Sequence, residues 1–139
     1  MSGTRWDAIV DGSITIPVNE HLGFELVPGG DPREGVTFTW TVPPECCNAQ
    51  GALQGGMFAA FADAVLGGVS AAYLDADTYP ALAEMKISIF RPAPAGETIT
   101  GTGRIVKGGS RVLFSEAEIT DSSGRLIAKA SGTAIPAKA

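Results

Sequence analysis

Charge is scarce in this 139-residue chain: 18% of the residues are charged and the balance is acidic, at a net −5. None of the ten Lys and Arg residues gathers into a run. A nucleic-acid surface needs such clusters against phosphate, so polynucleotide binding is not expected. Histidine occurs once, as His21, and cysteine twice, as the neighbours Cys46 and Cys47. Adjacent cysteines join only through a strained ring, which argues against a disulfide framework, and two thiols with one distant imidazole give no metal-ligand spacing. The opening stretch MSGTRWDAIVDGS has no basic segment followed by an apolar one, so no secretory leader is expected and a cytoplasmic location is.

What is present suits one domain over residues 1–139, because a single core organises about 100 to 200 residues. At 45% hydrophobic the chain has apolar side chains to spare, some of them for a partner subunit. Residues 23–27 form a short apolar stretch, and GVTFTWTV at 35–42 alternates small or polar with large residues as a half-buried strand does. PGGDPREG between them is turn chemistry, and Pro43 and Pro44 end the second strand because proline cannot donate to a ladder.

The period then changes. Over residues 54–74, Phe58, Phe61, Ala62, Val65, Val69, Ala72 and Tyr73 fall on one helical stripe, which predicts one long helix. Four strand-like segments follow, ALAEMKISIF, ETITGTGRIV, RVLFSEAEIT and RLIAKASGTAI. RPAPAG, KGGS and DSSG separate them at hairpin spacing. The expected fold is α+β, an antiparallel sheet wrapped around the one helix so that its stripe becomes the core.

Gly56, Ala60, Asp63, Gly67 and Ser70 lie opposite that stripe, where an exposed helix would carry Lys and Glu. Small residues let another backbone approach, so this face is expected to be covered by a second copy of the chain. A membrane span is not expected, because Asp63 and several glycines interrupt the apolar run. Asp63 is the only charged side chain from Asn48 through Leu74.

These residues carry a resemblance. Asn48, Gly51, Leu53, Gly55, Gly56 and Asp63, with FRPAPAGE at 90–97, are similar over nearly the whole chain to hotdog-fold acyl-CoA thioesterases of the phenylacetate-degradation (PaaI-like) type. Two positions depart from that pattern. Gln54 stands where the family often has histidine, and Leu82 sits near a position that some members fill with serine. Gln54 still donates and accepts hydrogen bonds but does not change charge near neutral pH. The resemblance implies an acyl-CoA substrate, coenzyme A being part of the substrate rather than a cofactor. It also implies a homodimer with composite sites; a dimer and a tetramer of two such dimers both remain open.

Thioester hydrolysis needs a polariser for the carbonyl oxygen and a base or nucleophile at its carbon. The helix start at Gly55 and Gly56 offers unpaired N–H groups without obstructing side chains, and Asp63 offers the carboxylate. Eight positions along one helix separate Gly55 from Asp63 by about 12 Å, too far for one carbonyl, so Asp63 of one subunit is expected to work with Gly55 of the other. Asn48 reads as a turn residue or part of a substrate loop, Lys107 and Arg111 as a solvated hairpin or a contact for coenzyme A phosphates. Trp40 and Phe90 read as core before acyl pocket, and His21 as structural or exposed. Direct attack by Asp63 and activation of water both remain open. Dehydration chemistry would need a histidine near the helix start, and the rival from another class is a non-catalytic acyl-CoA binder or sensor.

Overall fold

Thr4 opens the first helix of the computed structural model, which describes residues 3–139. Its Oγ1 accepts from the Asp7 N–H at 3.1 Å and its own N–H donates to Asp7 Oδ2 at 2.8 Å, a reciprocal cap that starts α1 (Arg5–Val10). Pro17 begins α2 (Pro17–Leu22) and Gly23, at φ 83°, ends it in the left-handed conformation. Hydrophobic period predicts neither helix, since each is under two turns long. Strands β1 (Glu25–Leu26) and β2 (Val36–Thr41) fall inside the expected stretches and are shorter. In β2, Val36, Phe38 and Trp40 turn inward and the threonines outward, as the alternation predicts.

A 3₁₀ turn (Pro44–Cys46) and a loop lead into α3 (Gly55–Ala71). The helix stops three residues before the expected end, and residues 72–74 turn away with Tyr73 N–H on Ser70 O and Leu74 N–H on Ala71 O. Strands β3 (Thr78–Ile89), β4 (Thr98–Gly108), β5 (Leu113–Thr120) and β6 (Leu126–Lys138) follow. All pairs are antiparallel, in the order β1-β2-β4-β5-β6-β3. KGGS and DSSG are the hairpin turns expected of them. RPAPAG is not: β3 pairs with β6 at the sheet's edge, so this segment carries the chain across to β4. Its prolines suit a crossing loop, and Ala93 at its centre is fully buried.

The sheet curls around α3, the expected hotdog arrangement. Phe58, Phe61, Val65, Leu66 and Val69 are buried against Trp40, Ile99, Ala117, Ile119 and Ile127. Trp40 anchors the strand end by donating from Nε1 to Leu22 O at 2.7 Å, and its ring lies 5.6 Å from that of Phe61. Gly101 and Gly103 of β4 set how closely helix and sheet meet. A Cβ at Gly101 would come within 2.7 Å of Val65 Cγ2, and one at Gly103 within 3.1 Å of the Val65 carbonyl oxygen. Only hydrogen fits at either position.

The outer face of α3 differs from the expectation in two ways. Ser70 is buried inside this chain, its hydroxyl donating to Leu66 O at 2.8 Å. Part of the remaining face is approached by the chain's own α1 and α2 rather than left wholly to a second copy. At Gly68 a Cβ would meet Phe38 Cε2 at 2.9 Å and Trp6 Cζ3 at 3.1 Å. Gly56 and Gly67 face open space. Phe90, expected in the core, is 54% exposed, since it follows the last paired residue of β3. No helix among the described residues is long and apolar enough to cross a membrane.

Candidate active site

The start of α3 is held by two loops that pair with each other. Leu53 N–H donates to Ala93 O at 2.8 Å, Ala95 N–H to Gly51 O at 3.2 Å and Gln54 N–H to Cys46 O at 3.0 Å. Asn48 folds the first loop: its Oδ1 accepts from the N–H groups of Gln50 (3.0 Å) and Ala52 (3.2 Å), and Gly51 takes φ 77°. In this chain the Asn48 side chain is thus a turn former. Gln54 is the N-cap, with its side chain exposed and not bonded to the helix; its carbonyl accepts from Met57 and Phe58.

That leaves the N–H groups of Gly55 and Gly56 without an acceptor among the described residues. Both residues are exposed. A Cβ at Gly55 would find only Ile89 Cδ1, at an ordinary 3.6 Å, and one at Gly56 would find nothing within 4 Å. Packing within the chain therefore does not require glycine here, and the two amides are open to approach. Aligned peptide dipoles make this end of α3 attractive to developing negative charge.

Asp63 lies two turns along and accepts no hydrogen bond from the described residues. It sits at a cleft of about 330 Å³ between α3 and the N-terminal helices, lined mainly by apolar groups including Trp6, Ile9, Phe38, Ala60 and Ala64. Asp63 is itself accessible, but its carboxylate is crowded by these neighbours. The resulting desolvation is the one cause that raises its pKa above the ordinary 3.8. No cation offsets it.

Lys107 and Arg111 belong to the β4–β5 hairpin, where Gly108 lies against Tyr73 beyond the C-terminal end of α3. The helix is 17 residues, about 25 Å, so within one chain they stand far from Gly55. Neither has an ionic or hydrogen-bonding partner among the described residues. Arg91 was not singled out from the sequence. Its side chain is equally unpaired, and it lies two residues past the end of β3, whose Ile89 borders Gly55. Its signal was an exposed cation in a turn segment that also carries the family-like FRPAPAGE. His21 is exposed on α2, away from the helix start, and no group of His, Cys, Asp and Glu among the described residues could hold a metal ion.

Comparison with known proteins bears on this geometry. The sequence pattern of the thioesterase superfamily matches residues 50–128, more than half of the chain and inclusive of α3. Curated protein sequences give no match. Among solved structures, the PaaI protein from the phenylacetic acid degradation operon of E. coli superposes with a TM-score of 0.83 at 18% identity, covering 96% of this chain and 93% of that one. A phenylacetic acid degradation-related protein of Ralstonia eutropha JMP134 gives 0.85 at 24% identity, over 94% and 98%. A Streptococcus mutans protein bound to acetyl CoA gives 0.74 at 22% identity, over 83% and 89%. These likenesses agree with the sheet and helix described above. With the pattern match across the helix that carries Gly55 and Asp63, they lead to one conclusion: the chain belongs to the thioesterase superfamily, as a thioester hydrolase of the PaaI-like hotdog fold.

Proposed function

We propose that the protein hydrolyses acyl-CoA thioesters at a site shared between two copies of the chain. Asp63 of one copy acts on the carbonyl carbon, as nucleophile or as the base that activates water, and the Gly55 amide of the other polarises the carbonyl oxygen. The observation that carries this reading is the pair of unsatisfied, unobstructed N–H groups at Gly55 and Gly56, on a helix, α3, whose only charged side chain is Asp63. About 12 Å of helix between them calls for a second copy, because reacting atoms need to approach within about 3 to 3.5 Å. The β3 edge supports self-association: it is 12 residues long and has no strand on its outer side among the described residues, a length of unpaired backbone that soluble proteins seldom leave bare. Two such dimers would make the tetramer.

Each remaining group has a part that follows from its place. Gly56 supplies a second amide beside Gly55, and Gln54 can hydrogen-bond the substrate without changing charge. Asn48 shapes the loop that holds both amides in position. Lys107, Arg111 and Arg91 are cations free to meet the phosphates of coenzyme A. No metal takes part in this scheme, and the products are the free acid and coenzyme A.

The test is release of free coenzyme A from short, long and aryl acyl-CoAs by the wild type and Asp63→Asn. A loss of about 10² to 10⁴-fold in rate, with assembly unchanged, is expected if the carboxylate carries the reaction. Full rate in the variant would overturn it, and a protein that binds acyl-CoA without cleaving it would be a sensor instead.

A further inference from the structure

The cleft in front of Asp63 has a graded lining. Val18 (51%), Asp63 and Tyr79 (40%) are exposed at its opening, whereas Trp6, Phe38, Gly68 and Ala71 are buried. Polarity follows the same gradient, from a carboxylate outside to aromatic carbon within. Arg5 lines the cleft but is engaged, donating from Nη1 to Ala76 O at 3.1 Å with its guanidinium 5.8 Å from the Tyr79 ring centre. The buried end, formed by Trp6, Phe38, Gly68 and Ala71, carries no charged side chain.

Its closed end is fixed by contact with the helix backbone. Trp6 and Phe38 meet edge to face, with ring centres 6.0 Å apart, and both press on Gly68 so closely that a methyl group there would collide with each. Asp63 and Ala71 are eight positions apart on α3, so the floor lies within about 12 Å of the carboxylate. The wall opposite α3 comes from Trp6 and Ile9 of α1, with Ile16 and Val18 beside them. These residues precede position 50, outside the stretch that matches the superfamily pattern. The part of the cleft that this chain does not share with the pattern is thus its acyl-facing wall.

Resting on the assignment of Asp63 as the catalytic carboxylate, we propose that this cleft receives the acyl group and that Trp6 and Ile9 set its length. The accepted class is an uncharged, apolar acyl group of medium length or an aryl group of similar reach. With the thioester carbonyl beside Asp63, the chain runs inward along α3 toward Trp6. Acetyl leaves the cleft unfilled, and a long fatty acyl group meets the Trp6 and Phe38 floor. A carboxylate at the far end of the acyl group would meet aromatic carbon at the Trp6 and Phe38 floor.

The experiment uses the full-length protein and acyl-CoAs from acetyl through octanoyl to palmitoyl. Wild type should show kcat/KM rising to a medium-length maximum and falling beyond it. Ile9→Trp fills the cleft from a half-buried position and should lower the octanoyl-to-acetyl ratio of kcat/KM by about 10 to 200-fold, the range for steric misfit in an apolar pocket. Trp6→Leu opens the floor and should move the maximum to longer chains. Because Trp6 is a core residue, Ile9→Trp carries the decision if that variant does not fold. Binding of S-methyl-CoA and S-octyl-CoA, which are not hydrolysed, reads the same ratio without turnover. A ratio that Ile9→Trp leaves unchanged in both measurements overturns the proposal. Full activity in Asp63→Asn would instead overturn the catalytic reading, while a shifted ratio would still locate the acyl group.

Discussion

Replacing Gly55 by proline deletes one N–H and little else. Gly55 is the first residue of α3, where proline's fixed φ suits the helix and its missing donor breaks no internal hydrogen bond. Gln54 before it is already extended, at φ −62° and ψ 141°, as a residue preceding proline must be. The added ring begins at a Cβ whose nearest neighbour would be Ile89 Cδ1 at 3.6 Å. Folding stability should therefore hold or rise by about 0.4 to 1 kcal/mol, the usual gain from a stiffer unfolded chain. Catalysis should suffer as it does when one oxyanion donor is lost, by about 10² to 10³-fold in kcat, or roughly 2.7 to 4 kcal/mol. Steady-state release of coenzyme A and a thermal melt on the same sample separate the two effects. Mixing Gly55→Pro with Asp63→Asn adds a geometric test. Each variant alone is inactive, but a hybrid dimer has one site with both groups intact, so statistical exchange of subunits should restore about a quarter of wild-type activity. A Gly55→Pro enzyme within threefold of wild-type kcat would refute the assignment of the amide, and mixtures that stay inactive despite subunit exchange would refute the shared site.

Burial raises the Asp63 pKa, so the folded state disfavours the ionised form. Stability associated with this group falls as pH rises from the ordinary 3.8 through the raised value, and Asp63→Asn should melt higher than wild type at pH 7 while losing activity. The acid limb of the kcat profile should likewise lie above 3.8. At Gly103, alanine would press on the Val65 carbonyl, and since neither backbone can yield easily the substitution should cost about 1 to 3 kcal/mol by chemical denaturation. Asp121 shapes the β5–β6 turn by accepting from Ser123 and Arg125, contacts led by the Ser123 hydroxyl that hold its pKa at about 2. Its contribution is present above the ordinary carboxylate pKa and fades as pH falls toward 2, so Asp121→Asn should lower Tm at pH 7 and have little effect near pH 2.

The long helix and the inward residues of β2 were legible because each repeats a period over enough residues to be unmistakable, as Phe58, Phe61, Val65 and Val69 do. Asp63 stood out as a candidate for the opposite reason, as the one charge in an apolar run, and Gly55 as the start of that helix. The N-terminal helices were not, although Thr4 with Asp7 and Pro17 with Gly23 are capping signals, because six residues carry too little period to confirm a cap. Strand order was the larger gap. RPAPAG resembles a hairpin turn in composition, and only the pairing of β3 with β6 reveals it as a crossing. The cleft was equally hidden, since it depends on Trp6 and Phe38 meeting over Gly68 from three separate segments. The exposure of Phe90 belongs to the same class, for it turns on where a strand stops pairing.

The pairing of β3 with β6 also orders events during folding. Thr78 pairs with Lys138 and Ile89 with Ala128, so the strand directly after the helix waits for the last strand of the chain before it gains a neighbour. Long-range closure of this kind is slow compared with the two hairpins that join β4, β5 and β6, which can zip as soon as they are made. On a ribosome, β3 becomes the ordered edge of a sheet only once the C-terminal strand has emerged and paired with it. In the proposed dimer, assembly through this edge would then follow the folding of each chain, and a chain cut short before β6 would display β3 with both edges bare, the form most prone to aggregate.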